Sequence, residues 1–576
     1  MEMDITTPTT DADGITTTAV NGIRTVLAPA SGRLTAGLLF RVGRADETLA
    51  TSGITHLVEH LALHRHGLSD LHYNGATANT YTHFHVTGTP ADVVEYLNGV
   101  CAALRDLPMD RLETEKEILR TEADGRHHGP GRAPALWRYG SRSYGLAGYA
   151  EAGLHRLTAD DVRTWARTRF TTENAVLWLT ADTVPEGLDL SLPRGEWYPT
   201  PEATSALPAT PAWFPGDDGG IVLTSVVPRS TEANLFAEVL GKELFRELRQ
   251  KGGYSYTATA DYSPRDGSHA TVIAYADSLP QKQDALVGAF VDVLAKLRAG
   301  RIEQADLDAV RATALTRFDM PEHAAAALPA HAMNLLVGHP NLTSAEARAE
   351  LGAVTVGDLH RVAREVWADA LVQVPARGLD WAGLTAAPAQ SPDIFTGRRY
   401  SSLEDERSGL LVGRDGISLV TPHTRTSVRY AECSLMQVYP DGARSLVGHD
   451  GFQLVVEPTL YGISDAELAP LDAVPADAVV RMPPRDPARI PRPAPKPEAA
   501  APVRRLWCTA LLWLLGIPGL LVGGITALGA LAVSAAADDA AIPRNDARVL
   551  LAGLIVAAIF LIPWGVLLKR RSQGLS

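Results

Sequence analysis

The main body of the chain, residues 15–376, carries one hydrophobic pattern twice. The sequence LTADDVRTWARTRF, which ends at Phe170, and the sequence VTVGDLHRVAREVW, which ends at Trp367, share a threonine, an aspartate three positions later and the same spacing of apolar residues. Each pattern predicts a capped amphipathic helix, and an apolar strand follows each of them. We therefore predict an α+β chain with two domains of one fold, at residues 15–185 and 186–376, after a disordered polar tail at 1–14.

The pattern changes to short alternating apolar runs between residues 395 and 463. Asp-Gly pairs separate these runs, and Asp-Gly between apolar strands is typical of hairpin turns. We therefore predict a small antiparallel β-domain. From 464 to 505 prolines recur too often for a packed core, which predicts an extended, Pro-rich linker.

Two long apolar runs follow, at about 506–530 and 549–568. A helix that spans a bilayer needs about 20 such residues, and a buried core hairpin is the alternative. Arginines precede the first run, and Lys569, Arg570 and Arg571 follow the second. The positive-inside rule then predicts that both ends of this transmembrane hairpin are cytoplasmic. The main body is expected in the cytoplasm, tethered to the membrane.

The composition narrows the classes of function. A net charge of −13 over 576 residues makes nucleic acid an unfavourable partner. The three cysteines lie far apart in sequence, so they form no disulfide framework and suit a reducing compartment. The acidic, polar N-terminus has neither the basic region nor the apolar region of a secretory signal.

Histidines and a glutamate share one face of a predicted helix in GITHLVEHLALHRHG. This helix is expected to start with Ser52 as its N-cap and to end at Gly67. Its apolar residues cluster on one side, and His56, Glu59 and His60 lie on the opposite stripe. Two neutral imidazoles one turn apart can bind one zinc ion, beside a carboxylate that accepts protons. A solvated helix face is the alternative interpretation.

A zinc site of this type needs a third protein ligand. His64 is the near candidate, one turn further along, but the stripe drifts away from it and from His66, so a solvated helix end is the simpler interpretation of both. The far candidate is the predicted helix at 112–125, where Glu115 and Glu122 share a stripe with two apolar residues. That stripe is expected to pack inward, and a buried carboxylate needs a partner such as a metal.

These segments together resemble the insulinase/pitrilysin family of zinc metallopeptidases, which includes mitochondrial processing peptidase. The resemblance covers about residues 15–376 and begins with the inverted His-x-x-Glu-His motif in ITHLVEHLAL. The sequence EKEILRTE resembles the second family motif, in which the last glutamate binds zinc and the glutamate seven residues earlier supports the site.

The resemblance implies a site and an activity. Zinc is expected on His56, His60 and Glu122, with Glu115 holding a ligand histidine from behind. Glu59 is expected to be the general base that activates a zinc-bound water. The implied activity is that of an endopeptidase on peptides or unfolded segments.

A further segment, NGATANTYTHF, extends the resemblance. Four of its residues match the spacing of the family strand that binds peptide by β-addition: Asn74, Thr77, Thr82 and Phe84. Two departures accompany them. Gly75 replaces the usual alanine, from which we expect little effect. The stretch between His60 and Asn74 is shorter than usual in the family, as if a small helix were lost.

The second domain adds FRELRQKGGYSYTATADY, in which Arg249 and Tyr256 resemble a family pair that contacts substrate across from the zinc. The phenol of Tyr256 is expected to stabilise the oxyanion.

Family members enclose substrate within four such domains, and this chain has two. Because it carries both the zinc motif and the pair, we expect a homodimer, or a heterodimer with a degenerate partner. A non-catalytic, membrane-tethered peptide-binding or scaffold protein is the alternative.

Overall fold

The computed structural model describes most of the chain: residues 7–64, 72–125, 129–216, 219–277, 279–375, 378–494 and 513–528, with scattered positions between 548 and 569. The chain divides into two compact units, Met1–Arg492 and Pro493–Ser576. The first unit contains both α+β domains and the β-domain.

One mixed sheet forms the first domain. Its strands are β1 (Thr9–Thr10), β2 (Thr16–Val20), β3 (Ile23–Leu27), β4 (Leu34–Phe40), β5 (His72–Thr77), β6 (Thr82–Gly88) and β7 (Ala175–Leu179). Its helices are α1 (Ile54–Leu63), α2 (Pro90–Arg105), α3 (Leu112–Gly125), α4 (Arg132–Tyr139) and α5 (Ala159–Arg169). The strand order is β1-β2-β3-β7-β4-β6-β5, so β5 is the last strand at one edge. At the other edge β1 pairs antiparallel with β2, so the predicted disordered tail at 1–14 is wrong for this part, because backbone pairing orders a segment whose polar composition gives no sign of it. Helices α1, α2 and α5 contribute residues to the core on one face of this sheet.

The second domain repeats this arrangement. Its strands are β8 (Ala212–Pro215), β9 (Ile221–Pro228), β10 (Ala258–Pro264), β11 (His269–Ala276), β12 (Leu371–Val374) and β13 (Thr385–Ala386). Its helices are α6 (Thr231–Leu244), α7 (Gln283–Arg298), α8 (Gln304–Thr316), α9 (His323–Val337), α10 (Ser344–Ala353) and α11 (Val356–Ala368). The order β8-β12-β9-β11-β10 matches β3-β7-β4-β6-β5 in sequence order and in direction.

The two helices expected from the repeated pattern are present as α5 and α11. Thr158 caps α5 by accepting a hydrogen bond from the backbone N–H of Asp161, and Thr355 does the same for Asp358 in α11. In turn, the side chain of each aspartate accepts a hydrogen bond from the backbone N–H of its threonine, so both helices start with a complete capping box. The strands β7 and β12 follow them, and both are fully buried.

The second face of the first sheet is covered by α9 from the second domain. Leu328, Ala332 and Leu336 of α9 pack against Val26 and Val176 of the sheet. The first two domains therefore share a hydrophobic interface, and an α-helix covers part of a sheet face that would otherwise meet water.

Two histidines of β6 lie on this second face, because side chains alternate along a strand. His83 Nε2 and His85 Nδ1 are buried without a hydrogen-bond partner among the described residues. Burial lowers the pKa of His83 to about 4, and the neighbouring His85 adds to the effect. His83 is therefore neutral in the folded protein across the physiological pH range.

Acid should destabilise the fold through His83. The unfolded side chain binds a proton near its usual pKa of 6.5, so this contribution to the free energy of unfolding is present above pH 6.5 and is lost as the pH falls to 4. The full loss corresponds to about 3 kcal/mol. His83→Phe should flatten this part of the stability–pH profile in urea titrations between pH 4 and 7. The same substitution at the exposed His423 is the control. An unchanged profile in His83→Phe would contradict the prediction.

The β-domain consists of two four-stranded sheets. The first contains β14 (Gly397–Ser401), β15 (Gly409–Gly413), β16 (Gly416–Val420) and β17 (Arg425–Arg429), in that order. The second contains β18 (Cys433–Val438), β19 (Arg444–Gly448), β20 (Gln453–Val456) and β21 (Val479–Arg481), in the order β20-β19-β18-β21. A short helix, α12 (Pro458–Tyr461), follows β20.

The predicted start of the linker at 464 is wrong. Leu468, Leu471 and Val474 are buried in the core between the two sheets, and β21 pairs in parallel with β18. The β-domain therefore extends to about residue 482. Short 3₁₀ turns carry these apolar residues inward, and such turns lack the long periodicity by which the sequence would reveal them.

The apolar C-terminal segments are described only in part. Residues 513–528 form a helix, whereas most of the predicted spans at 506–530 and 549–568 lie outside the described residues or are described only at scattered positions. Among the residues that the structure describes, no helix is both long enough and apolar enough to cross a membrane.

Candidate metal centre

The helix that carries the histidines, α1, begins differently from the prediction. Its N-cap is Gly53, in a left-handed conformation with φ of 94°, and not Ser52. The carboxylate of Glu47 accepts hydrogen bonds from the N–H groups of Gly53 (2.8 Å) and Thr55 (2.9 Å) and so replaces a side-chain cap. Burial raises the pKa of Glu47 to about 7. The predicted helix end at Gly67 lies outside the described residues.

The apolar face of α1 anchors the helix in the core. Ile54, Leu57, Val58 and Leu61 are all buried there. As predicted, His56 and His60 lie on another stripe of the helix, and their rings are 4.8 Å apart. The anchored helix thus presents two imidazoles side by side.

A carboxylate holds each imidazole from behind. Nδ1 of His56 lies 3.1 Å and 3.2 Å from the two carboxylate oxygens of Glu151. Nδ1 of His60 lies 3.4 Å from Oε2 of Glu115. When Nδ1–H donates to a carboxylate, the lone pair of the ring is on Nε2. Both histidines therefore offer Nε2 to the same space.

Glu122 of α3 faces that space. Its Oε2 lies 3.9 Å from Nε2 of His56, and its Oε1 lies 3.6 Å from Nε2 of His60. One ligand atom from each of the three residues lies within 4.8 Å of the others. Among the residues that the structure describes, His56, His60 and Glu122 form the one cluster of at least three potential metal-binding side chains whose ligand atoms are close enough to hold one ion.

Glu59 lies beside these three residues and is itself buried. Its Oε2 lies 3.9 Å from Nε2 of His56 and accepts a hydrogen bond of 3.0 Å from the hydroxyl of Thr77. Gly75 leaves room for it: a Cβ at position 75 would collide with the Glu59 carboxylate and approach Leu63 to 2.8 Å. The glycine that was expected to matter little therefore determines how closely β5 approaches the candidate base.

The candidate substrate strand is at the edge of the first sheet. Asn74 and Thr77 lie on β5, which pairs with β6 on one side and ends the sheet order. Tyr96 donates a hydrogen bond to the carbonyl of Asn74. Thr82 and Phe84 lie on β6 instead and are fully buried, so they belong to the core and not to the edge strand.

Glu115, the carboxylate behind His60, has further charged or titratable neighbours. Glu115 is buried and also approaches Arg111 and His64, with an Nδ1–Oε1 distance of 3.7 Å for His64. His64 thus lies against the supporting carboxylate and not among the ligand atoms, and its side chain is 37% exposed, which agrees only in part with the solvated helix end predicted for it. His66 lies outside the described residues.

Sequence reasoning missed two residues of the site, Glu47 and Glu151. Glu47 stands six residues before the N-cap Gly53, where an acidic group ahead of a helix start was a usable signal. Glu151 lies 95 residues from His56, and no local pattern marks it.

Arg249 and Tyr256 lie together in the second domain. The last turns of α6 continue into a π-helix, Phe245–Lys251, which carries Arg249. The guanidinium carbon of Arg249 lies 4.9 Å from the ring centre of Tyr256, and Tyr256 is 77% exposed. By topology α6 is the counterpart of α1. Arg249 therefore lies on the extension of the helix that corresponds to the histidine helix, and Tyr256 lies in the segment that follows it.

Comparisons with known proteins agree with this architecture. The family model described as the Peptidase M16 inactive domain matches residues 220–314. That segment lies wholly in the second domain and contains Arg249 and Tyr256 but none of the residues around His56. A comparison with curated proteins found no match.

Solved structures resemble the chain at low identity. A protease from Helicobacter pylori has 19% identity and a TM-score of 0.52, with 63% of this chain and 99% of that chain covered. A peptidase M16 inactive domain from Pseudomonas fluorescens has 14% identity and a TM-score of 0.54, with 63% and 99% covered. The first half of the periplasmic protease PqqL from Escherichia coli has 14% identity and a TM-score of 0.51, with 66% and 96% covered. The chain therefore has a mixed α/β fold similar to that of M16-type proteases.

Proposed function

We propose that the chain is a zinc-dependent endopeptidase that cleaves peptides or unfolded segments. The observation that carries this proposal is the convergence of His56 Nε2, His60 Nε2 and a Glu122 oxygen, with the Nδ1 atoms of both rings held by carboxylates. Two imidazoles and one carboxylate are the donor set of many catalytic zinc sites, and they leave room for a further ligand. A zinc ion held there would supply Lewis acidity.

The chain's own groups account for the proton transfers. Oε2 of Glu59 would accept the proton of the attacking water and return it to the leaving amine. The hydrogen bond from Thr77 holds that oxygen in place, and burial keeps bulk water away from it. The ligand histidines and the base Glu59 thus lie side by side on one face of α1.

The edge strand β5 supports a peptide substrate. Its free edge offers backbone N–H and C=O groups to an extended chain, which can pair there as an added strand. The base Glu59 bonds to Thr77 of the same strand, so a peptide on β5 would lie next to it. Backbone pairing reads shape more than sequence, which suits unfolded segments.

Metal analysis and chelation test this function. The purified full chain should contain about one zinc per chain and should cleave a mixed peptide library. Removal of the metal with a chelator should abolish cleavage, and added zinc should restore it. A chain that binds no zinc, or that cleaves equally well without it, would rule out the proposal.

We also propose that two copies of the chain form the working enzyme. Arg249 and Tyr256 are exposed and stack on each other, so they are available to a substrate held against another copy. A phenol and a guanidinium near a developing oxyanion would stabilise it. The alternative arrangement is a heterodimer of this chain with a degenerate partner.

Mixing two inactive variants distinguishes these arrangements. Glu59→Gln and Tyr256→Phe chains should each have low activity alone. In a homodimer in which each chain completes its partner's site, random exchange should make about a quarter of the sites intact and restore that share of the activity. Unmixed variants are the controls. Activity that stays low after demonstrated exchange would contradict completion in trans.

The alternative function is that of a non-catalytic peptide-binding or scaffold protein. The matched family model is described as inactive and covers only residues 220–314 of the second domain, which leaves this alternative open. It predicts peptide binding by the edge strand without turnover, so the chelation experiment distinguishes the two functions.

A membrane location is a further proposal, and it rests on the charges that flank the apolar runs at 506–530 and 549–568. If it is correct, the main body lies at the cytoplasmic face. A protease added outside intact cells should then leave the main body uncut.

A further inference from the structure

The loop that carries Glu151 is packed directly against the start of the histidine helix. A Cβ on Gly53 would approach the Cβ of Glu151 to 2.9 Å, so a glycine permits this approach. From the other side, a Cβ on Gly153 would collide with the backbone of Thr51 and Ser52. The N–H of Gly153 also bonds to the hydroxyl of Ser52 at 3.3 Å.

The carboxylate of Glu151 is therefore held in one place. Its side chain is only 10% exposed, and both of its oxygens lie within 3.2 Å of Nδ1 of His56. Nη2 of Arg44 lies 3.6 Å from Oε1 of Glu151 and balances the charge of this carboxylate. A histidine ring that is fixed through Nδ1 loses little freedom when Nε2 binds a metal, so the affinity for the metal increases.

The β-domain packs on the same loop from outside. Leu435, Val447 and Val480 of the β-domain form one apolar cluster with Leu49 and Leu146 of the first domain. This cluster joins the residues just before α1 to the segment that leads into Glu151. The β-domain thus touches both parts of the first domain that meet at the metal ligand.

Polar contacts strengthen this interface. The hydroxyl of Ser141 lies 2.6 Å from the hydroxyl of Ser434 and 2.8 Å from the carbonyl oxygen of Gly448. Arg156 donates a hydrogen bond to the carbonyl of Asp477. Segment 141–156, which carries Glu151, is therefore held at both of its ends by the β-domain.

We propose that Glu151 is a positioning residue for the metal ligand His56, and that the β-domain strengthens zinc binding by holding segment 141–156 in place. This inference rests on the proposed function, because it takes His56 as a zinc ligand. It assigns a role in the metal site to a domain that contributes no ligand.

Zinc affinity of the full chain, measured by competition with a chelator, tests the role of Glu151. Glu151→Ala should weaken zinc binding by about tenfold to a hundredfold. Glu151→Gln should recover part of the affinity, since its amide oxygen still accepts a hydrogen bond from Nδ1–H. Glu186→Ala, at an exposed position, should bind as the wild type does. The absorption spectrum of bound cobalt(II) should change in Glu151→Ala, which a general loss of stability would not produce.

The role of the β-domain is tested by two matched leucine substitutions. Leu435→Ala removes a side chain from the interface cluster, whereas Leu454→Ala removes one from the interior of the β-domain. At a temperature where circular dichroism shows both variants folded, Leu435→Ala should weaken zinc binding severalfold more than Leu454→Ala. If Leu435→Ala does not fold, Arg156→Ala replaces it, because it removes an interface bond from a side chain that lies outside the core.

The outcomes separate this inference from the proposed function. A wild-type chain without zinc would overturn both. A wild-type chain that binds zinc, together with a Glu151→Ala chain of equal affinity, would overturn only the positioning role. Equal affinity in Leu435→Ala and Leu454→Ala, with Glu151→Ala weakened, would overturn only the role of the β-domain.

Discussion

Glu59→Gln should reduce the turnover number for peptide cleavage by about a thousandfold and leave zinc binding unchanged. The amide has the shape of the carboxylate and can still accept the hydrogen bond from Thr77, so the packing around it is preserved. It cannot accept a proton at neutral pH, and the attacking water would lose its base. Steady-state kinetics on a peptide that the wild type cleaves, with metal analysis of the same sample, measure both effects.

The control for this substitution is Glu95→Gln. Glu95 is exposed on α2, and the same change of charge there should leave turnover and zinc content at wild-type values. Cleavage by Glu59→Gln at the wild-type rate would show that this carboxylate is not the base. Loss of zinc from the variant would show that the substitution changes the metal site instead.

Glu122→Gln should weaken zinc binding by more than about a hundredfold, beyond the range found for residues that only support a ligand. The substitution replaces a charged oxygen donor that lies within 3.9 Å of Nε2 of both histidines. The two imidazoles alone would hold the ion weakly, and activity should fall in proportion to zinc occupancy. Zinc affinity by chelator competition measures the change.

Glu117→Gln is the matched control on the same helix. Its side chain is 73% exposed and pairs with Arg120 on the outer face of α3. The control should bind zinc as tightly as the wild type. If Glu122→Gln kept its zinc affinity while the control did too, the third ligand would have to be another group.

The histidine helix and the acidic helix could both be predicted, because their information is local. Periodic apolar residues identify the buried face of a helix, and the opposite stripe then carries the chemistry. The stripe of α1 was recognised in this way. On α3, Glu115 and Glu122 were expected to share an inward-facing stripe with two apolar residues. Glu115 and Leu119 are buried, but Ile118 is exposed and the Glu122 side chain is 41% exposed, so this stripe is only partly buried. The convergence of the two helices on one point was an inference from family resemblance, since 62 residues separate His60 from Glu122 and periodicity within one helix says nothing about its distance from another.

Other features depended on the packing of distant segments. Serine is a favourable N-cap by itself, yet Gly53 takes this place because the Glu151 loop approaches it too closely for a side chain. The buried carboxylate of Glu47 then supplies the acceptor that a serine would have supplied. Local propensity was overruled by close packing and by the need to satisfy backbone N–H groups.

In the β-domain, too, the local elements could be predicted from the sequence and the long-range pairing could not. Alternating runs and Asp-Gly turns predicted its strands, because a hairpin is a local structure. Its last strand was assigned to the linker, since β21 pairs in parallel with β18 across about 40 residues of chain, and parallel pairing leaves no turn signal. The types of residue in the candidate metal site and the repeated fold could be predicted from the sequence. Only the tertiary structure places Glu151 behind His56 and the β-domain behind Glu151, because long-range packing brings these groups together and no short segment contains them.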